Sequence, residues 1–253
     1  MTDAVGPADL FDLTGKVALV TGGSRGLGRE IVLGFAAAGA DVVIASRKLD
    51  NCQALADEIQ ATGRRALAVA CHVGHWEDCD ALADRAYGHF GQVDVLVNNA
   101  GMSPLAPSSA ETSEELFDKV IGVNFKGPFR LSAIIGQRMY DSGGGSIINI
   151  SSSGALFPAP RYGPYAGAKA ALNALTTVFA RELAPRVRVN TLSAGPFLTD
   201  IAKHWPPESE RKWHNAAGRP GEPAEVVTTA LYLASPASSY TTGSLIRVDG
   251  GLY

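Results

Sequence analysis

The sequence predicts an α/β fold in which helices cover both faces of a doubly wound, seven-stranded parallel sheet. Short β-branched runs alternate with helical patterns along the whole chain. The runs are almost continuously apolar, as strands buried on both faces are. A glycine-rich turn joins the first run to the first helical pattern. We expect one domain over residues 1–253, because neither a repeat nor a linker divides the sequence.

The predicted elements follow one another regularly. Seven apolar runs predict strands, at residues 17–20, 42–45, 66–70, 93–97, 146–150, 187–191 and 245–248. Six stretches with apolar residues at helical spacing predict helices, at residues 29–38, 51–62, 76–90, 113–140, 162–184 and 223–234. Because strands alternate with helices, right-handed crossovers would make the sheet parallel.

One segment, residues 196–220, breaks this alternation. It follows the sixth strand, at the carboxyl edge where such sheets bind their ligands. Its irregular sequence includes Trp205, Pro206, Pro207, Trp213 and His214. Because long irregular segments in compact domains are usually functional, we expect a substrate lid with aromatic contacts. The alternative is a surface excursion whose tryptophans pack on the body of the domain.

The composition narrows the class of protein. Hydrophobic residues make up 46% of the 253 residues and charged residues 19%, a balance that excludes wholesale disorder. The net charge of −3 comes without a basic run, which argues against nucleic acid or a membrane as partner. Residues 1–12 lack the features of a secretory signal. Cys52, Cys71 and Cys79 cannot all pair, so we expect reduced thiols and a cytoplasmic location.

The glycine-rich turn at residues 21–28 has the properties of a cradle for a nucleotide diphosphate. Glycines allow the backbone to turn sharply and to approach an anion closely. The N-terminus of the following helix adds unpaired N–H groups and a partial positive charge. The candidate cofactor-binding residues of the turn are Gly22, Ser24, Arg25, Gly26, Leu27 and Gly28. With the predicted sheet, the turn indicates a Rossmann-fold domain.

Tyr165 and Lys169 lie four residues apart in a predicted helix, so both side chains share one face. An ammonium beside a phenol favours the phenolate, and we therefore expect Lys169 to lower the pKa of Tyr165. Ser152 ends the fifth strand, where its hydroxyl is placed to hydrogen-bond a substrate oxygen beside the phenol. Ser151 and Ser153 are the alternatives for that role.

These motifs occur in a characteristic order. The turn reads T-G-x-x-x-G-x-G, and Asn98-Asn99-Ala100-Gly101 ends the fourth strand. Tyr165 stands thirteen residues after Ser152 and four before Lys169, and Val248-Asp249-Gly250-Gly251 lies near the end. Over almost the whole chain this order resembles the short-chain dehydrogenase/reductase family, and it is similar to that of the family's 3-oxoacyl-acyl-carrier-protein reductases.

The resemblance implies an enzyme that interconverts a ketone and a secondary alcohol by hydride transfer. It implies a catalytic tetrad of Asn124, Ser152, Tyr165 and Lys169. Tyr165 would exchange the proton while Ser152 holds the reacting oxygen. Lys169 would bind the nicotinamide ribose, and Asn124 would hold a water of the proton relay. The substrate would be a small carbonyl or alcohol compound, with 3-oxoacyl thioesters, xenobiotic ketones and steroids as the classes in question.

The end of the second strand indicates NADP(H), with NAD(H) as the alternative. A carboxylate there would bind the adenosine ribose diol, but this chain has Ser46 and Arg47. These groups suit a 2′-phosphate, and Arg25 adds a second cation. The resemblance implies further cofactor contacts at His72, Val73, Asn99, Ala100, Gly101, Tyr165, Lys169, Gly195, Phe197 and Thr199. His72 stands where the family often has aspartate, and Ala194 where it usually has proline.

Other interpretations remain open at this point. Cys71, His72, His75 and Cys79 crowd within nine residues, but no second ligand pair completes a zinc shell, so we expect no metal. A cofactor-binding sensor on the same fold is an alternative against which the intact tetrad argues. The helices predicted at 113–140 and 162–184 correspond to those that pair between subunits in the family, which implies a homotetramer or, as second choice, a homodimer.

Overall fold

Across the described residues, seven parallel strands form one sheet in the order β3-β2-β1-β4-β5-β6-β7. The strands are β1 (Val17–Thr21), β2 (Asp41–Ser46), β3 (Ala66–Ala70), β4 (Val95–Asn98), β5 (Gly145–Ser152), β6 (Val187–Ala194) and β7 (Leu245–Val248). All seven predicted strands are therefore confirmed, and β5 and β6 continue past their predicted ends. This extension carries Ser152 and Ala194 to the carboxyl edge of the sheet.

The computed structural model describes residues 6–200, 202 and 213–253. Of the predicted lid, Trp205, Pro206 and Pro207 lie outside the described residues. The α-helices are α1 (Pro7–Leu10), α2 (Gly26–Ala37), α3 (Leu49–Gln60), α4 (Trp76–Phe90), α5 (Glu114–Ile121), α6 (Gly127–Ser142), α7 (Gly163–Glu182) and α8 (Val227–Ala234). Within the described part of the chain, no helix has both the length and the apolar character needed to cross a membrane.

The order of the strands reverses direction at β1. From β1 the chain moves outward through β2 to β3, and it then returns to place β4 on the other side of β1. Ala18 of β1 pairs with Val42 of β2 on one side and with Val95 of β4 on the other. A reversal of this kind opens a crevice at the carboxyl ends of the strands, where doubly wound sheets bind ligands.

Two apolar clusters hold the helices to the two faces of the sheet. One contains Ile31 and Phe35 of α2 with Leu55 of α3. The other contains Leu131 of α6 and Phe179 of α7, and it also includes residues of α4. Alternate residues of β1 enter opposite clusters, since successive side chains of a strand point to opposite faces. The predicted helices on both faces are thereby confirmed.

The single helix predicted over residues 113–140 is wrong in one respect: a π-helical segment, Gly122–Lys126, separates α5 from α6. The N–H of Gly127 bonds the carbonyl of Gly122, five residues back. Pro128 has no N–H, so the carbonyl of Asn124 receives no α-helical bond from it. The side-chain amide nitrogen of Asn124 also donates to a carbonyl of the preceding turn, that of Val120, at 2.9 Å. The proline and the asparagine together account for the break in α-helical geometry.

Three helix starts also differ from prediction by more than one residue. α3 begins at Leu49 rather than at residue 51. α2 begins at Gly26 rather than at residue 29, so the last glycines of the turn form its first turn. The helix predicted from residue 223 begins with a 3₁₀ turn, Pro223–Val226, before α8. Proline at such a position fixes the backbone and needs no hydrogen-bond acceptor, which suits it to a helix start.

Replacement of Phe35 by alanine should test the packing of α2. The Phe35 ring is completely buried, so its removal leaves a cavity that costs about 3–5 kcal/mol of unfolding free energy. Denaturant titration of Phe35→Ala measures the loss. Phe11→Ala is the matched control, because Phe11 is 38% exposed and should lose far less. Equal losses in the two variants would contradict the described core.

Candidate active site

A cavity of about 750 Å³ opens at the carboxyl ends of the strands. Most residues predicted to bind a cofactor line it: Gly22, Ser24, Arg25, Gly26, Leu27, Ser46, Arg47, His72, Val73, Asn99, Ala100, Gly101, Tyr165, Lys169, Gly195, Phe197 and Thr199. Ser152 also lines the cavity. Gly28 and Asn124 are outside the lining, since Gly28 packs under the turn and Asn124 lies behind Gly101. One cavity thus joins the predicted cofactor residues to the predicted catalytic ones.

The glycine-rich turn fits a diphosphate in two respects. Gly22 and Gly26 adopt φ of 61° and 54°, a left-handed conformation that glycine tolerates best. No side chain caps the N-terminus of α2, so the first N–H groups of this twelve-residue helix have no side-chain partner. Such N–H groups, with the positive end of the helix dipole, are a ready site for an anion.

Asn99 fixes this turn to the end of β4. Its amide nitrogen donates to the carbonyls of Thr21 at 2.9 Å and Gly22 at 3.1 Å. A Cβ on Gly28 would lie 2.4 Å from that nitrogen and 2.3 Å from the Gly22 oxygen. Gly28 therefore serves close packing beneath the turn, where no larger residue fits.

At the end of β2 the cavity presents hydroxyl and guanidinium groups. The Ser24 hydroxyl donates to Ser46 Oγ at 2.9 Å, and Arg47 is exposed beside them. Among the described residues that line the cavity, Asp200 is the one acid. Asp200 follows β6, and its Oδ2 forms an ion pair with Arg25 Nη1 at 3.1 Å. The predicted phosphate ligands thus have different partners, since Ser24 contacts the end of β2 and Arg25 contacts Asp200 after β6.

His72 is held by its neighbours at the end of β3. Its Nδ1 accepts from the N–H of Gly74 at 3.2 Å, and its ring stacks on His75 with centroids 4.3 Å apart. Burial lowers the pKa of His72, and the nearby His75 and Arg47 act in the same direction. Because Nδ1 is the acceptor, the neutral ring carries its proton on Nε2.

The cysteines near His72 take part in packing. The Cys71 and Cys79 thiols are buried and bond the carbonyls of Asp78 and Val73. Within the ranges that the structure describes, no three His, Cys, Asp or Glu side chains group closely enough to hold a metal ion.

Helix α7 brings Tyr165 and Lys169 to the wall of the cavity opposite the serines of β5. Lys169 is only 4% exposed, and its ammonium donates to the carbonyl of Ile150 at 2.7 Å. The Ser151 hydroxyl is buried and donates to the Lys169 carbonyl at 3.3 Å. The Ser152 hydroxyl accepts from the N–H of Gly154 at 3.0 Å and faces the cavity with Tyr165.

Burial dominates the proton affinities of this cluster. It raises the pKa of Tyr165, and hydrogen bonding with Ser152 opposes that effect. It lowers the pKa of Lys169 to about 8. The expectation that Lys169 lowers the pKa of Tyr165 is therefore wrong for this structure. The physical reason is that a low-dielectric site disfavours both charges, the phenolate and the ammonium.

Asn124 is completely buried, and its side chain supports the cluster from behind. Its amide nitrogen donates to the carbonyls of Met102 and Val120, each at 2.9 Å, and its oxygen accepts from the N–H of Met102 at 3.3 Å. A Cβ on Gly101 would lie 3.1 Å from the Asn124 oxygen and 3.7 Å from Lys169 Nζ. Gly101 thus lets the strand end fit between the two side chains.

A buried polar chain lies under the cluster. Asn98 donates to Ser132 and Asn149, each at 2.9 Å, and Asn149 donates to Thr176 of α7 at 3.0 Å. Thr176 also contacts Thr191 of β6 at 2.7 Å. Since buried polar groups cost free energy when unpaired, these bonds fix α6 and α7 against β4, β5 and β6.

The wall beyond Tyr165 contains residues that the sequence did not single out. Tyr162 lines the cavity, its hydroxyl accepts from the N–H of Ala159 at 3.1 Å, and its ring lies edge-on to Tyr165 at 6.1 Å. The adjacent Arg161 has φ of 77° and exchanges two bonds with Ala106, through its carbonyl at 2.9 Å and its Nε at 3.2 Å. The two loops that carry Ala106 and Arg161 are thereby joined.

Leu252 reaches the cavity from the C-terminal segment. It forms an isolated antiparallel bridge with Asn215, and its N–H lies 3.4 Å from a carboxylate oxygen of Asp249. Arg247 binds the other Asp249 oxygen at 2.7 Å. No sequence signal at Leu252 points to a binding site, because its place depends on contacts with residues far away in the chain.

A glycine-rich diphosphate cradle and a Ser–Tyr–Lys cluster in one cavity define the class of dinucleotide-dependent oxidoreductases on a Rossmann fold. A family model described as enoyl-(acyl carrier protein) reductase matches residues 22–253. An uncharacterized oxidoreductase of Mycobacterium tuberculosis is 41% identical in an alignment of 249 positions that covers 96% of this chain and 94% of the relative.

Solved structures of similar proteins indicate the same class of enzyme. A 7α-hydroxysteroid dehydrogenase complexed with NADH and 7-oxo glycochenodeoxycholic acid is 35% identical, with a TM-score of 0.93 and 98% of each chain covered. A gluconate 5-dehydrogenase from Burkholderia cenocepacia in complex with NADP and tartrate is 32% identical, with the same TM-score and coverage. The chain belongs to the short-chain dehydrogenase/reductase family.

The buried Lys169 should make stability depend on pH in a defined window. Its pKa is about 8 in the folded protein, against an ordinary value of 10.5. Between these values the unfolded chain binds more protons, so the unfolding free energy should rise as the pH rises through the window. Denaturant titrations from pH 7.5 to about pH 10 should show a steeper rise for the native protein than for Lys169→Met. Lys126→Met, which removes an exposed lysine, is the control, and equal slopes for all three proteins would contradict the assignment.

Proposed function

We propose that this short-chain dehydrogenase/reductase is an NADP(H)-dependent enzyme that interconverts a ketone and a secondary alcohol. The observation that carries the proposal is the convergence of Ser152, Tyr165 and Lys169 in one cavity with the glycine-rich turn. A cofactor-binding sensor, which is the alternative, would need the glycine-rich turn. It would not need a buried lysine beside a phenol. Burial of a charged group costs free energy, and perturbed groups of this kind cluster at catalytic sites.

The nicotinamide would supply or accept the hydride. In reduction, the Tyr165 phenol donates its proton to the carbonyl oxygen as negative charge develops there. The Ser152 hydroxyl donates a hydrogen bond to the same oxygen and stabilises that charge. Ser152 suits this role better than Ser151, whose hydroxyl is committed to the Lys169 carbonyl. In oxidation the alcohol returns its proton to the Tyr165 phenolate.

Lys169 is placed to donate to the nicotinamide ribose hydroxyls from the wall of the cavity. The Asn124 carbonyl, which lacks a donor from Pro128, is our candidate holder of the relay water. The Tyr165 phenol, whose pKa is raised by burial, is protonated near neutral pH, which is the form that reduction requires. Oxidation needs the phenolate, so its rate should increase as the pH rises.

The proposed preference for NADP(H) rests on the end of β2. Ser24, Ser46 and Arg47 would bind the 2′-phosphate through hydroxyl and guanidinium donors. His72, Val73 and Asn99 to Gly101 would enclose the adenosine, and Gly195, Phe197 and Thr199 the nicotinamide side. Relatives do not decide between cofactors, since one structure holds NADH and another NADP. NAD(H) is therefore the alternative to be measured.

The substrate would be a carbonyl compound large enough to use the wall formed by Tyr162 and Leu252. The 7-oxo steroid bound to one relative and the carrier-protein thioesters implied by the family description are both bulky. We propose a bulky ketone, tested as a 7-oxo steroid and as a 3-oxoacyl thioester. Residues 196–220 would close over it as a lid.

The three free cysteines fit a reducing, cytoplasmic location.

Replacement of Tyr165 by phenylalanine should nearly abolish turnover, because it removes the proton that the alkoxide needs. NADPH oxidation with a panel of ketones, including a 3-oxoacyl thioester, measures turnover, and a fluorescence titration measures NADPH affinity. Affinity should change only a few-fold, as for loss of a group used in the transition state. A Phe variant that kept most of its turnover would overturn the mechanism. Tight NADPH binding by a native protein inactive on the whole panel would favour the sensor.

We also propose a homotetramer, with a homodimer as the alternative. Large apolar side chains are exposed on consecutive helices: Trp76 on α4, Phe117 on α5, Phe129 on α6 and Val178 on α7. Trp76 packs on Phe129 with ring centroids 6.2 Å apart, so part of this surface is contiguous. Exposed apolar patches of this kind mark protein interfaces.

Phe129→Asp should weaken assembly without unfolding the chain, since Phe129 is 38% exposed in the single chain. A buried carboxylate at an interface costs more than the ring contributes, and the sedimentation coefficient should fall toward that of a smaller species. Leu49→Asp is the control, because Leu49 is 45% exposed on another helix. Sedimentation of the native protein as a monomer at micromolar concentration would contradict the proposal.

A further inference from the structure

The side chains of the two residues at the tip of the glycine-rich turn point to opposite sides of the turn. Arg25 has an extended backbone, with φ of −160° and ψ of 168°. Neighbouring side chains on extended backbone point to opposite sides. Accordingly, the Ser24 hydroxyl bonds Ser46 at the end of β2, while the Arg25 guanidinium bonds Asp200 after β6. Arg25 is thus directed away from the proposed phosphate site.

The Arg25–Asp200 pair lines the cavity beside the N-terminus of α2. Both residues line the cavity, and Thr199 lies beside the turn, with its Cγ2 3.5 Å from where a Gly26 Cβ would be. This is the position at which the uncapped N–H groups of α2 would hold a diphosphate. A carboxylate there repels an anion unless a cation neutralises it. Arg25 supplies that cation.

The pair is weak enough to open. Its side chains are 68% and 47% exposed, and water screens an ion pair at such a surface. A phosphate carries more charge than a carboxylate and offers more acceptor oxygens, so it binds a guanidinium more strongly. The flexible side chain of Arg25 can therefore bind either Asp200 or a 2′-phosphate.

We propose that Asp200 sets the cofactor preference by competing with the 2′-phosphate for Arg25. This inference rests on the proposed use of NADP(H). With NADH the pair stays closed, because that cofactor has a ribose diol in place of the phosphate. With NADPH the pair opens, and the affinity gained from Arg25 is reduced by the loss of its bond to Asp200. Asp200 is thus a specificity-determining residue outside the predicted phosphate site.

The test is a double-mutant cycle read by cofactor binding. Fluorescence titrations give the dissociation constants of NADPH and NADH for the native protein, Asp200→Asn, Arg25→Gln and the double variant. Asp200→Asn frees Arg25 and should lower the dissociation constant of NADPH about three- to fivefold, which is the upper part of the range for an exposed ion pair. NADH should tighten less than twofold, about the screened effect of one surface charge. In the Arg25→Gln background the same change should leave the NADPH to NADH ratio unaltered.

Two results would overturn the inference. Equal tightening of both cofactors by Asp200→Asn would mean that its carboxylate acts on the shared diphosphate. If Asp200→Asn still changed the NADPH to NADH ratio in the Arg25→Gln background, Asp200 would not act through Arg25. Failure of the proposed function is separate, because a native protein that binds neither cofactor, or turns over independently of Tyr165, refutes that proposal whatever the ratio does.

Discussion

The cavity depends on the contact between the glycine-rich turn and the end of β4. The Thr21 hydroxyl accepts from the N–H groups of Asn99 and Ala100 at 3.0 and 3.1 Å, and the Asn99 side chain binds the backbone of the turn in return. These bonds lie where the strand order reverses, so they join the two halves of the sheet at the place where a crevice would otherwise separate them. The shape of the turn and the direction of β4 into the cavity are fixed together.

The wall of the cavity that carries Tyr165 and Lys169 is built at a cost to stability. A lysine that is 4% exposed, with its ammonium bonded to a carbonyl, has lost most of its hydration. The bonds of Asn124 to Met102 and the chain from Asn98 to Thr176 leave little freedom for the surrounding backbone to relax. A rigid surround keeps Lys169 in a site that it would otherwise leave for water. Strain and desolvation held by a rigid scaffold are typical of sites that do chemistry.

Much of the fold could be predicted because its signals are local. Apolar β-branched runs locate strands, and the small residues of the turn locate the crevice at the end of β1. The π-helical segment could not be found in this way, since the apolar pattern continues through it while Pro128 and Asn124 change the hydrogen bonding. Leu252 escaped prediction because its place at the cavity depends on a bridge to Asn215, which lies far earlier in the chain.

The site shows the same limit in its chemistry. Residue types and spacing singled out Tyr165, Lys169 and the serines as candidates, but the sign of the tyrosine pKa shift depends on burial, which spacing does not reveal. Similarly, counting cations assigned Arg25 and Arg47 to one phosphate. The extended backbone at Arg25 directs its side chain to the other side of the turn, where Asp200 binds it. If Asp200 competes for Arg25 as we propose, cofactor choice in this cavity depends on which partners compete for each cation. An inventory of charges would then predict the preference only when no carboxylate lies within reach of the same guanidinium.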